Sequence, residues 1–220
     1  MAATTVPLSA RRAFALVALL VAVYAVLDIV VQLLPPHYSA IQDAESDLAV
    51  GPYGWIMTIN FVVRGALSLL FLWAFYRTVR PEGRGWGEYR GGAVALAIWG
   101  VGAILLAIFP TDVPATPISW HGAIHLVVAL LAFLGGAIGV YLLSSHFASS
   151  PVLRPAQGWA TLLALLVIVF VVGELALGVF TPRVSAVAGG LLERLFLGSV
   201  LLWILLVALF LAREPGRATA

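Results

Sequence analysis

The sequence predicts an all-α integral membrane protein, a single six-helix transmembrane bundle with both termini cytoplasmic. Of its 220 residues, 62% are hydrophobic and only 10% charged, against roughly 25% charged in soluble domains, and the mean hydropathy is +1.07. Six apolar runs, about 13–34, 56–76, 91–109, 122–143, 160–180 and 187–212, each approach the ~20 residues with which a helix crosses ~30 Å of hydrocarbon. They make one domain, 13–213, and leave the tails 1–12 and 214–220 in the cytoplasm. Arginine sets the orientation. With the N-terminus inside, Arg11, Arg12, Arg77, Arg80, Arg84, Arg90, Arg154, Arg213 and Arg217 fall on the inner side, and only Arg183 and Arg194 near the outer one, as the positive-inside rule requires.

Cysteine is absent and all 12 basic residues are arginine. Disulfides, thiolate chemistry and cysteine-ligated metals are therefore excluded. The richness in Ala, Gly, Leu and Val, with no lysine, points to a GC-rich genome and a bacterial inner membrane. The net charge of +2 comes without a dense basic cluster interleaved with aromatics, so composition implies membrane lipids as partners and no nucleic acid.

The first helix carries Tyr24, Asp28 and Gln32 at i, i+4 and i+8, a polar stripe on an apolar rod. The arginine pair before it has the look of an export signal, but the apolar run is long. Tyr38 also stands where a cleavage site needs a small residue, so the helix is read as retained. Pro35 and Pro36 end it. The connection that follows is acidic through Asp43, Glu45 and Asp47. Two readings fit it equally: a solvated outer loop, or a short surface helix with Tyr38, Ile41, Leu48 and Val50 as a weak apolar side.

The second helix repeats the stripe with Asn60, Arg64 and Ser68. A charge near mid-bilayer costs at least about 2.5 kcal/mol, so Arg64 requires a carboxylate on a neighbouring helix or a wet cavity. Asp28 lies roughly 9 Å inside the outer boundary of its helix and Arg64 roughly 13 Å inside its own, at about 1.5 Å per residue. A short connection packs the two helices side by side, which makes Asp28 the expected partner.

The third helix follows a basic inner loop in which Trp86 and Tyr89 read as interface anchors. Gly100 and Gly102 allow close contact, and the helix ends at Phe-Pro-Thr-Asp, 109–112. The fourth places His121 and His125 on one face at its outer end, carries a GxxxG pattern from Gly135 to Gly139, and ends in an interfacial loop with His146. The fifth has one ionisable residue, Glu174; the sixth begins with Glu193 and Arg194 in its early turns. On one depth scale Asp28, Arg64, His121, His125, Glu174, Glu193 and Arg194 all occupy the outer half, with Asp112 just above, which predicts a polar chamber opening outward.

The blocks ESDLAVGPYGWIMTINFVVRG, FPTD, HGAIH and LLERLFL, in this order and spacing, resemble the prokaryotic six-helix membrane proteins of the domain of unknown function 998 family, over roughly 13–213. The resemblance implies the fold and the membrane location. It marks Asn60, Asp112, His121, His125, Glu193 and Arg194, and it implies no activity. One departure stands at Ser46, where Asp47, Leu48 and Ala49 replace an expected Leu-Gly pair.

Three functions fit these residues. The sharpest is a membrane-embedded enzyme acting on lipid or lipid-linked substrates, with Asp112, His121, His125 and Glu193 as catalytic candidates. A divalent metal on His121, His125 and Asp112 is the cofactor that the histidine spacing allows. The second is a small-molecule or ion binding or transport protein using Asp28, Asn60, Arg64, Glu174 and Arg194, although no internal repeat or broken midplane helix supports transport. The third is a non-catalytic membrane protein whose charges are paired for helix packing.

Overall fold

The computed structural model describes residues 6–79, 86–114, 116–180 and 182–213, without the side chains of Val179 and of 182–186. Arg80, Arg84, Arg217 and the tail 214–220, used above to orient the chain, lie outside the described residues. The six predicted helices are present as α1 (Leu8–Leu33), α2 (Gly54–Thr78), α3 (Trp86–Ile108), α4 (Trp120–His146), α5 (Gln157–Phe180) and α6 (Pro182–Arg213). All six contain stretches long and apolar enough to span a membrane. At most ends they run past the apolar stretches, because a helix keeps its backbone hydrogen bonds as it passes into the headgroup layer, where hydropathy no longer marks it. The start of α6 is set by Pro182 at its first position, where the missing N–H costs no bond.

Each helix packs on its neighbours in sequence, and α6 closes the ring on α1. The end carrying both termini is sealed by aromatics. Phe71 lies 5.7 Å from Trp203 edge-on, and Phe75 stacks on Tyr89 at 5.9 Å. Tyr89 and His146 turn inward rather than toward the headgroups: both are buried, ring against ring at 5.4 Å. Deeper in, α3 and α4 approach closely along the GxxxG pattern. A side chain at Gly139 would stand 2.7 Å from the Leu96 nitrogen, and one at Gly135 equally close to the Ala95 carbonyl.

The connection between α1 and α2 is neither a solvated loop nor a surface helix. Its one helical turn, the 3-10 helix Glu45–Ala49, turns Glu45 and Leu48 into the bundle, where they are 2% and 0% exposed. Leu48 joins a small apolar cluster with Val31, Met57, Phe61 and Leu106 at the end opposite the termini. From α6, the Leu191 N–H donates to the Ile41 carbonyl at 3.0 Å, and Arg194 Nη1 donates to the carbonyls of Ala40, Asp43 and Gly190 at 3.1, 2.7 and 3.1 Å. Gly190 lies directly against the Asp43 carbonyl, where no side chain would fit.

Candidate functional site

Arg64 is buried on α2 and 1% exposed. The helical register that places Asn60, Arg64 and Ser68 on one stripe turns all three inward. The carboxylate that faces Arg64 is Glu45, with Nη1 and Oε2 3.7 Å apart. This corrects the expected pairing with Asp28, whose Oδ2 instead accepts from Gln32 Nε2 at 2.6 Å, one helical turn away. The depth comparison chose the right level and the wrong group, because it took carboxylates only from helices.

Around this pair the other polar groups close in. The Tyr24 hydroxyl donates to Glu45 Oε1, and the Glu45 backbone N–H donates to Glu193 Oε2 at 2.9 Å. Asn60 Nδ2 donates to the Tyr24 carbonyl at 3.2 Å. Beneath, the Arg64 guanidinium lies over the faces of Phe61 and Trp99, 5.2 and 5.0 Å from the ring centres. Trp99 is fixed in turn by its Nε1–H bond to Ser68 Oγ at 3.1 Å, while the Ser68 hydroxyl donates to the Arg64 carbonyl at 2.8 Å. These aromatic faces attract the cation, so Arg64 is held from one side by π electrons and from the other by a carboxylate.

The structure thus brings Asp28, Asn60, Arg64, Glu174, Glu193 and Arg194 to one end of the bundle with Glu45. The carboxylates of Asp28, Glu45, Glu174 and Glu193 lie within electrostatic reach of one another or of the two arginines. Within the site Tyr24, Glu45, Asn60, Arg64, His125 and Glu193 are each at most 8% exposed, while Asp28, Glu174 and Arg194 are half-buried. Asp28 Oδ1, Glu45 Oε2, Asn60 Oδ1 and Glu174 Oε2 are buried and accept no hydrogen bond. Arg64 Nε and two of the Arg194 nitrogens, Nε and Nη2, donate none.

Asp112, His121 and His125 belong to a different structure, the start of α4. Ser119 caps that helix by accepting from the Gly122 N–H at 3.1 Å. Asp112 holds Ser119, accepting from its hydroxyl at 2.6 Å and its N–H at 2.9 Å. These two donors keep the Asp112 carboxyl below the usual carboxylate range. His121 Nδ1 lies 3.2 Å from the Pro110 carbonyl and 3.8 Å from Asp112, while the buried His125 places Nδ1 2.7 Å from the Phe109 carbonyl. Among the described residues no three His, Asp or Glu side chains are grouped to hold a metal ion, so the donor set expected of His121, His125 and Asp112 is not assembled.

Sequence reasoning missed Glu45 as a site residue. The available signal was the shared block itself, which starts at Glu45 and runs on through Arg64. Among known proteins, the model of a family described as "Protein of unknown function (DUF998)" matches residues 9–210. No curated protein and no solved structure matches the chain.

Proposed function

The chain belongs to the DUF998 family, and on that footing we propose that it is a bacterial inner-membrane protein that binds a small cation, a proton being the simplest. The site is the carboxylate cluster at the end opposite its termini, an end we place on the outer face, with Glu45 and Glu193 buried and Asp28 and Glu174 half-buried. One observation carries this reading: carboxylates outnumber the guanidiniums beside them. Glu45 faces Arg64, but Arg194 Nη1 is engaged by three backbone carbonyls, and Asp28, Glu174 and Glu193 have no ion pair among the described residues. Negative charge left uncompensated within a bilayer is costly, and intramembrane Asp and Glu of this kind mark ion and proton paths in other membrane proteins.

In this reading Arg64 fixes the resting charge of Glu45, Tyr24 and the Glu45 backbone link that residue to its neighbours, and Glu193 and Glu174 take up the positive charge. The segment 35–53 closes the site from the outer face. A lipid-acting enzyme draws less support, because Asp112, His121 and His125 are engaged in holding Phe109, Pro110 and Ser119 to the start of α4.

Infrared difference spectroscopy on the purified protein in lipid nanodiscs tests the proposal. Stepping the pH or the sodium concentration is expected to give, among the carboxyl bands, components that the Glu174→Gln, Glu193→Gln double variant lacks. Carboxyl bands identical in the folded wild type and the folded double variant under both steps would reject it.

A further inference from the structure

At the terminus-bearing end of the bundle, a groove of about 410 Å³ is lined by Trp159 of α5 and by Leu206, Leu209, Phe210 and Arg213 of α6. We propose that this groove binds an anionic phospholipid of the leaflet on that side, with an acyl chain along Leu206, Leu209 and Phe210 and the phosphate on Arg213. The site is independent of the carboxylate cluster.

The lining has the order that a phospholipid has. Leu206, Leu209 and Phe210 are half-buried on consecutive turns of α6, so they form an apolar strip along the membrane normal. Trp159, on the first turn of α5, stands at the level where indole rings settle between headgroups and chains. Arg213 closes α6 and is exposed, with a planar fork that suits phosphate oxygens. A second guanidinium stands at the same helix end, where Arg11 Nε donates to the Ala212 carbonyl at 3.0 Å. Positive charge above an apolar slot open to the bilayer selects a lipid with net negative charge over a zwitterionic one.

Native mass spectrometry of the delipidated full-length protein, titrated with phosphatidylglycerol or phosphatidylcholine, reads the site directly. The wild type is expected to retain phosphatidylglycerol in preference. Arg213→Gln, an exposed change that leaves the fold alone, should weaken that retention about fivefold, the equivalent of ~1 kcal/mol for one arginine near a membrane surface. Leu209→Trp, which fills the slot, should remove the preference. Equal retention of the two lipids by the wild type, undiminished phosphatidylglycerol binding in both variants, or a dimer that buries this face and persists in the presence of lipid would each overturn the proposal.

Discussion

Arg64 and Glu45 are held 3.7 Å apart, beyond the span of a good hydrogen bond, yet both are almost fully buried. Their mutual dependence therefore lies in charge more than in bond geometry. Removing one partner strands the other in a low-dielectric interior, which costs roughly 3–5 kcal/mol for a buried pair, whereas replacing both by apolar groups costs far less. Arg64→Leu and Glu45→Leu alone are thus expected to lower unfolding stability in micelles by about that amount, and the double variant to recover most of it. Arg64→Leu with Asp28→Leu should recover little. Were the Asp28 combination the one that recovered, the pairing described here would be wrong. Arg64 was legible in the sequence because a charge in an apolar run is expensive wherever it sits. Glu45 was not, because an acidic residue in a loop is ordinary until the loop is known to fold inward.

The elements were readable to different degrees for the same reason. Apolar runs report the hydrocarbon they cross, so all six helices could be placed, and the glycines of α4 could be assigned to a close helix contact. Caps and connections depend on single hydrogen bonds, which periodicity does not record. The HGAIH block reads as a ligand pair, and it proves to sit in the first two turns of α4, where Ser119 and Asp112 secure the cap. That arrangement has a pH signature. Because its two hydrogen bonds make the Asp112 carboxyl more acidic in the folded protein, its stabilising effect is complete above the ordinary carboxylate pKa of about 4. The effect fades as pH falls through the lowered folded value. Thermal unfolding of the wild type and of Asp112→Asn, compared at neutral pH and near pH 3, should give a gap that narrows on acidification. A gap independent of pH would mean that Asp112 acts through its shape alone.

At the scale of the whole molecule the bundle is polarised. Aromatic and aliphatic side chains fill the terminus-bearing end, where His146 is the one buried His, Asp, Glu or Arg among the described residues, and the buried carboxylates and Arg64 collect at the other, beneath a segment that α6 stitches in place. Only orientation decides whether that polar end meets the outside of the cell or its interior, and with it the direction from which a cation would arrive. The proposed orientation, drawn from the arginine bias, puts the termini in the cytoplasm. A chain without cysteine lets this be tested one position at a time. Gln42 and Ala148 are both exposed and lie at opposite ends of the bundle, in the α1–α2 connection and after α4. A membrane-impermeant maleimide added to intact cells should label Gln42→Cys, and label Ala148→Cys only after permeabilisation. The reverse pattern would turn the carboxylate cluster toward the cytoplasm and move its source of protons or cations to the inside of the cell, while leaving every contact within the bundle as it is.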